Sequence, residues 1–175
     1  MELVGRMMDG TIAYDDRPGL EPVPSAASIK QDEKMERLEA VPLFQGCTQR
    51  QLRAIARIAD VFDAASGTTL IRAGEPGEEF FLIVDGTARV HVSAKKRVRL
   101  RPGDFFGEMS LLDGEPRSAA VVAESPLRLL VISRRNFSAL LDKVPGMTQT
   151  LLATLSRRVR LAERALDMSA RTSGR

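Results

Sequence analysis

The sequence predicts a mainly β domain with flanking helices. Apolar residues recur at helical spacing before residue 60, form short strand-like segments from 60 to 133, and return to helical spacing beyond 133. Short strands separated by Gly and Pro are typical of a β-sandwich, a jelly roll or a closed barrel. With 175 residues the chain can bury one sizeable core, so we expect a single domain.

Residues 1–30 show neither a helix period nor a strand period. Pro, Gly, Ser and acidic residues are scattered along this stretch, and Pro18, Pro22 and Pro24 cluster before the first regular segment. This composition is typical of a backbone that packs against no core. We therefore predict a flexible N-terminal tail over 1–30.

Two short helices are predicted over 31–60. The first covers 31–40 and stops before Pro42, because proline lacks an amide hydrogen and clashes with the preceding turn. The second starts at Thr48, whose hydroxyl can cap the helix while Gln51 reaches back in a capping box. Its apolar residues share one face, which we expect to be buried: Leu52, Ile55, Ala56 and Ala59.

The β region is predicted over 61–133 and contains seven segments rich in Val, Ile, Leu and Phe. Gly and Pro separate the segments, as expected for turns. Val90 and Val92 alternate with polar neighbours, which predicts a strand with one face toward the core. The predicted strands are 60–64, 68–72, 79–84, 87–93, 96–101, 118–124 and 127–133.

Two helices are predicted over 134–170, and a short tail over 171–175. Pro145 and Gly146 separate the first helix from the longer second one. The second carries an apolar seam that fits either its own β domain or the same helix of a second copy, so a homodimer is one hypothesis. The apolar faces are Phe137, Leu140, Leu141 and Val144 in the first helix, and Leu152, Leu155, Val159, Ala162 and Leu166 in the second.

Positive charge is concentrated at the C-terminal end. The net charge is +3, whereas residues 134–175 alone carry nine basic and three acidic side chains. Such a stretch could meet an acidic partner or nucleic acid, but a charge run specifies no partner, so we expect a solvated helix face. The basic run 95–101 lacks aromatic residues for base stacking. We therefore do not expect DNA binding.

The composition predicts a cytoplasmic protein that does not insert into a membrane. The longest apolar runs, such as 80–84, are too short to span a bilayer. The N-terminal residues contain acids and no continuous apolar core, unlike a secretory signal. Cys47 is the single cysteine, so no disulfide can form within the chain.

No set of catalytic or metal-binding residues stands out. His91 is the single histidine, and a metal site of imidazole ligands would need more than one. Cys47 has no histidine nearby in sequence that could activate it as a nucleophile. We predict a protein that is not an enzyme and that carries no metal or cofactor.

The stretch 103–120 has the residue types of a small ligand site. Gly107 would let backbone amides approach an anion closely. Arg117 offers a planar charged fork that matches two phosphate oxygens. Glu108 would accept hydrogen bonds from hydroxyl groups. The combination predicts a ligand with one negative charge beside a hydroxyl.

Two motifs resemble those of cyclic nucleotide-binding domains. Residues 106–112 together with 116–121, FGEMSLL and PRSAAV, resemble the phosphate-binding cassette of that family. Residues 71–86, IRAGEPGEEFFLIVDG, resemble the first half of its β region. The resemblance covers about residues 36–168 and implies an eight-stranded, jelly-roll-like β-roll. It further implies a cyclic nucleotide-binding domain over 31–170, with cAMP favoured over cGMP.

The resemblance also implies roles for individual residues. Glu108 would hold the ribose 2′-hydroxyl, and Arg117 would neutralise the cyclic phosphate. Ser118 would donate to the phosphate and could also touch a guanine. The implied ligand-binding set is Gly107, Glu108, Met109, Ser110, Arg117, Ser118 and Ala119, with base or lid contacts from Leu155, Arg158 and Val159.

The leading hypothesis is a sensor domain that signals to an unidentified effector through its C-terminal helices. One alternative is a degenerate β-roll that serves as a dimerisation module and is indifferent to nucleotide. Another is the sensor part of a DNA-binding transcription regulator without its helix-turn-helix, because nothing beyond 133 predicts such a unit and the sequence stops at Arg175.

Overall fold

A computed structural model describes residues 20–22, 30–92 and 96–172. The helices are α1 (Gln31–Glu39), α2 (Gln49–Ile58), α3 (Glu108–Asp113), α4 (Arg134–Lys143) and α5 (Pro145–Thr172), with a 3-10 turn at Pro42–Phe44. The strands are β1 (Leu20–Pro22), β2 (Asp60–Ala64), β3 (Thr69–Ile71), β4 (Glu79–Asp85), β5 (Ala88–His91), β6 (Arg97–Leu100), β7 (Phe105–Phe106), β8 (Ala120–Ala123) and β9 (Leu127–Ser133). None of the helices in these ranges is long and apolar enough to cross a membrane.

The strands form two antiparallel sheets. One sheet has the order β1-β2-β9-β4-β7 and the other the order β3-β8-β5-β6. This confirms the predicted β-roll with flanking helices, although the described strands form two separate sheets and not one closed barrel. Each of the seven predicted strand segments contains an observed strand. The pattern missed β7, because two residues are too few to show alternation.

Strand β4 lies between β9 and β7 in its sheet and is buried on both faces. Phe80 and Leu82 pack in a cluster beneath the helices, whereas Phe81 and Ile83 pack in a second cluster between the sheets. The Phe80 ring stacks on Phe137 of α4 with 4.8 Å between centroids. Successive side chains of a strand point to opposite faces. An apolar layer on each side therefore explains why this strand has a continuous apolar sequence.

The helix before the β region begins as predicted. The Thr48 hydroxyl accepts a hydrogen bond from the Gln51 amide at 3.2 Å, and the Gln51 side chain accepts one from the Thr48 amide at 2.8 Å. Both halves of the capping box are therefore present, and the predicted start of α2 is confirmed. The apolar face of α2 is buried through Leu52, Ile55 and Ala56.

The predicted N-terminal tail contains a strand. Residues 20–22 pair with β2, and Pro22 lies opposite Phe62 in the register. The prediction of a flexible tail over 1–30 is therefore wrong for this segment, while 1–19 and 23–29 lie outside the described residues. Unpaired backbone groups at the edge of β2 offer pairing to any nearby chain, and proline is tolerated in an edge strand. Residues 20–22 can therefore form a strand although apolar and polar side chains do not alternate in their sequence.

The last helix is longer than predicted. It begins at Pro145, where proline is tolerated because the first amide of a helix has no partner, and it continues through Thr172. The first two residues of the predicted 171–175 tail are therefore helical, and 173–175 lie outside the described residues. The members of the predicted seam differ in burial: Leu155 packs against the core, Ala162 is half-buried, and Leu152, Val159 and Leu166 are exposed.

The basic strand face is partly neutralised. Arg99 of β6 donates to Glu124 at 2.7 Å, and Arg89 of β5 pairs with the same carboxylate. Residues 97–99 are exposed to solvent, whereas Lys95 lies outside the described residues. The absence of nucleic-acid binding at this face stays a prediction.

Candidate functional site

The site is formed where β7 turns into the short helix α3. Gly107 caps α3 with a left-handed φ of 87°, a conformation that favours glycine. A Cβ at this position would lie 2.8 Å from the Glu79 carbonyl oxygen and 2.9 Å from Nη1 of Arg117. Glycine is therefore required both by the backbone angle and by the close approach of the neighbouring segments.

Arg117 lies inside the site with 5% of its surface exposed. Its Nη1 donates to the Gly107 carbonyl at 2.7 Å, and its Nη2 donates to the Glu79 carbonyl at 2.9 Å and to the Glu79 carboxylate at 3.1 Å. The guanidinium lies 5.9 Å from the Phe81 ring centroid. These contacts fix the position of a buried cation and pair its charge with Glu79.

The loop between β3 and β4 closes over this cation. A Cβ at Gly77 would lie 2.6 Å from Cβ of Ser110 and 2.7 Å from Cζ of Arg117. Arg134 holds the loop, since it donates to the carbonyl of Gly77, to the carbonyl of Ser110 at 3.2 Å and to the Glu78 carboxylate at 3.0 Å. The cassette, residues 106–121, is therefore attached to the first residue of α4.

Glu108 is the second buried charge, with 2% of its surface exposed. Its carboxylate accepts a hydrogen bond from Nη1 of Arg158 at 2.6 Å, and Nη2 of Arg158 donates to the Phe105 carbonyl at 2.8 Å. The guanidinium of Arg158 also lies 4.7 Å from the Phe105 ring centroid. Burial raises the pKa of Glu108, and the positive charges of Arg158 and Arg117 oppose that rise. One cation that stabilises the ionised Glu108 therefore comes from α5.

The remaining predicted ligand residues lie around this pair of charges. Ser110 is buried, whereas Met109 and Ser118 are exposed and Ala119 is half-buried. The Ser118 hydroxyl donates to the Met109 sulfur at 3.5 Å. Three residues of the last helix were predicted as base or lid contacts, and one of them, Arg158, contacts Glu108. Leu155 packs on the core instead, and Val159 is exposed.

Sequence reasoning missed several residues of this site. Arg117 pairs with Glu79, which was not among the predicted site residues, and Glu108 pairs with Arg158, which was predicted only as a base or lid contact. The signal for Glu79 is weak, because it is one of two adjacent acids at the start of a strand. Nothing in the pattern around Arg134 indicates that its side chain reaches the cassette.

The arrangement suits one class of small ligand. A fixed cation lies beside a buried carboxylate, and the glycine at 107 brings the backbone close to both. An anionic group beside a hydroxyl would meet complementary partners here. Residues 62–144 match the family model described as a cyclic nucleotide-binding domain. The chain contains a cyclic nucleotide-binding domain.

Relatives of this domain belong to proteins with different outputs. A cyclic nucleotide-gated potassium channel of Mesorhizobium japonicum is 38% identical over 115 residues, which are 66% of this chain and 32% of the channel. A cAMP-dependent protein kinase regulatory subunit of Hypocrea atroviridis is 32% identical over 110 residues, which are 63% of this chain and 24% of the subunit. The chain therefore spans about a quarter to a third of the length of these two relatives.

A solved structure supports the same assignment. The catabolite activator protein of Thermus thermophilus matches with a TM-score of 0.66 and 30% sequence identity. The match covers 74% of this chain and 63% of that protein. The cyclic nucleotide-binding domain therefore has the fold expected from its sequence.

Replacement of Gly107 by alanine should disturb the cassette more than the same change at Gly114. Both glycines have a positive φ, so each substitution should cost about 1–2 kcal/mol of backbone strain. A Cβ at Gly114 meets no atom within 4 Å, whereas one at Gly107 collides with Glu79 and Arg117. We expect Gly107→Ala to be less stable by at least about 1 kcal/mol more in urea unfolding. Equal losses of unfolding free energy in the two variants would show that the close approach at Gly107 does not contribute to stability.

Glu108 should also give the domain a pH-dependent stability. Because its pKa is raised in the folded state, the folded chain binds a proton more tightly than the unfolded chain does. The contribution of Glu108 is then greatest below its ordinary pKa of 4.5 and is lost as pH rises through the folded pKa. The unfolding free energy of the wild type minus that of Glu108→Gln should fall across this range. A difference that grows with pH would mean that the ion pair with Arg158 outweighs burial.

Proposed function

We propose that the domain binds a cyclic nucleotide and acts as a sensor that catalyses no reaction. The observation that carries the proposal is the pair of buried, opposite charges at Arg117 and Glu108, held by separate partners within one glycine-lined site. Burying two charged side chains costs desolvation free energy, and their partners in the site must offset that cost. The names of the matched channel and kinase subunit, which refer to cyclic nucleotides, support the same ligand class.

Each group of the ligand has a candidate partner. The cyclic phosphate would lie at Arg117, with the Ser118 hydroxyl as a second donor. The ribose 2′-hydroxyl would donate to Glu108, and the backbone at Gly107 and Ser110 would complete the polar contacts. Met109 and Ala119 would line the same side of the ligand.

We favour cAMP over cGMP as the ligand. The support is the name of the matched kinase regulatory subunit, which refers to cAMP. The exposed Ser118 hydroxyl is compatible with either base, because it could reach a guanine as well as the phosphate. Titration with both nucleotides would establish the preference.

The output would pass through the C-terminal helices. Arg158 connects α5 to Glu108, so a ribose hydroxyl that bonds to Glu108 would compete with the contact that holds α5 in place. A ligand shifts a conformational equilibrium only through different affinity for its states. Competition at Glu108 supplies that difference, and the effector would be a cytoplasmic protein or domain that responds to the position of α5.

A second candidate function is dimerisation that is indifferent to nucleotide. It is favoured by an apolar stripe along α5, where Leu152, Val159 and Leu166 are exposed by 59%, 55% and 71%. Exposed apolar side chains on one helix face are typical of packing against another helix. This candidate predicts a dimer whose strength does not change with ligand.

Substitution of Arg117 by lysine tests the leading proposal. Lysine keeps the charge but cannot make the parallel hydrogen bonds of a guanidinium, so cAMP affinity should fall about 100-fold. Isothermal titration calorimetry of the full chain measures this change. The control is Arg128→Lys, because Arg128 pairs with Asp63 and lies opposite Asp85, at the far end of β4 from Glu79. An affinity that is unchanged in Arg117→Lys, or a wild type that gives no heat with millimolar nucleotide, would contradict the proposal.

A further inference from the structure

Met109 is an exposed methionine within the candidate ligand site. It is the second residue of α3, and 47% of its surface is exposed to solvent. Methionine is more often found in the interior of a protein, as Met147 is here with 0% exposure. The thioether of Met109 is therefore accessible to small reagents in solution, although it belongs to the cassette.

The Met109 sulfur also accepts a hydrogen bond from a predicted phosphate donor. The Ser118 hydroxyl donates to it at 3.5 Å. A thioether sulfur is a weak acceptor, whereas hydrogen bonds to a charged oxygen are about twice as strong as bonds between neutral groups. A phosphate oxygen can therefore take the Ser118 hydroxyl from the thioether with little loss.

Oxidation of the sulfur would change this balance. A sulfur lone pair attacks the outer oxygen of a hydroperoxide, and the S–O bond forms as the O–O bond breaks. The proton of that oxygen moves to the departing oxygen, which leaves as water or an alcohol, and the sulfur loses the two electrons that the peroxide gains. The product, methionine sulfoxide, is polar. Its oxygen carries partial negative charge, so it accepts a hydrogen bond more strongly than the thioether does.

We propose that Met109 is a site of reversible oxidation by hydroperoxides, and that its sulfoxide retains the Ser118 hydroxyl and so weakens cyclic nucleotide binding. The inference rests on the proposed function, because Ser118 acts there as a donor to the cyclic phosphate. The sulfoxide oxygen and the phosphate compete for one hydroxyl. Since methionine sulfoxide reductases restore the thioether, the weakening is reversible.

Other sulfur-containing side chains provide comparisons within the same chain. Met168 of α5 is exposed by 71%, so it should be oxidised as well, but it lies outside the predicted ligand set. Cys47 is half-buried, and burial raises the pKa of its thiol. A raised pKa lowers the fraction of the reactive thiolate at neutral pH. The contact with Ser118, and not exposure alone, connects Met109 to ligand binding.

The test treats the full chain with hydrogen peroxide, removes the peroxide and measures cAMP affinity by isothermal titration calorimetry. Peptide mass spectrometry should find sulfoxide at Met109 and Met168 and an unmodified Met147. The wild-type affinity should fall about tenfold, as expected for loss of a hydrogen bond to a charged group. Methionine sulfoxide reductases should restore the affinity. Dithiothreitol alone should not, because a thiol reverses mild oxidation of Cys47 but not a sulfoxide.

Two matched variants assign the effect to one sulfur. Treated Met109→Leu should bind cAMP as tightly as untreated Met109→Leu, because leucine has no sulfur to oxidise. Treated Met168→Leu should still lose about tenfold in affinity. A tenfold loss in treated Met109→Leu, or no loss in wild type that is fully oxidised at Met109, would overturn the proposal.

A third variant tests the role of the Ser118 hydroxyl. Ser118→Ala lacks this donor, so its affinity before treatment should already be about tenfold below that of the wild type. Oxidation of Met109 should then lower it by less than about twofold, because no hydroxyl remains to be retained. A further tenfold loss would show that the sulfoxide acts without Ser118, and the proposed competition would be wrong.

The outcomes separate this inference from the proposed function. If the untreated wild type binds cAMP and oxidation of Met109 leaves its affinity unchanged, the inference is wrong and the proposed function stands. A Met109 that stays unmodified while Met168 is fully oxidised would also overturn the inference alone. If the untreated wild type binds neither cAMP nor cGMP, the proposed function fails and the inference fails with it.

Discussion

The burial of Arg117 is the constraint on which the site depends. A guanidinium with 5% exposure must satisfy its donors inside the protein, and it does so with carbonyls of β4 and of the residue that caps α3. These bonds fix the distance between the two segments, and two glycines are needed because any side chain would enter the same space. Arg117 therefore holds the cassette against the start of β4, and the loop packs over it.

Glu108 gives the same site a connection to the rest of the chain. A buried carboxylate requires partners, and its closest ion pair is with a residue of α5, fifty positions away in sequence. A ligand that changes the partners of Glu108 therefore changes the energy of holding α5 against the β domain. In the proposed function, ligand chemistry and helix position would be linked through this one carboxylate, and no long path of coupled residues would be required.

Local patterns predicted most of the fold, whereas the ligand residues of the cassette follow from the family resemblance and stay a prediction. The capping box at Thr48 and the apolar run of β4 depend on short-range chemistry, and both are present in the structure. The pairing of Arg117 with Glu79 and of Glu108 with Arg158 could not be predicted, because these residues meet only through tertiary packing. The contact of Arg134 with the cassette was missed for the same reason. Strand β1 was missed for the same reason, since an edge strand is defined by its neighbour and not by its own period.

The most direct test of the central claim compares cAMP with 2′-deoxy-cAMP in the wild type and in Glu108→Met. Methionine keeps the length of the side chain but cannot accept a hydrogen bond from the ribose. Loss of the 2′-hydroxyl should weaken binding to the wild type by about tenfold or more, as expected for a hydrogen bond to a charged group. In Glu108→Met the two ligands should bind with nearly equal affinity. The same loss in both proteins would contradict the assignment of Glu108 to the ribose, and with it the link between ligand and α5.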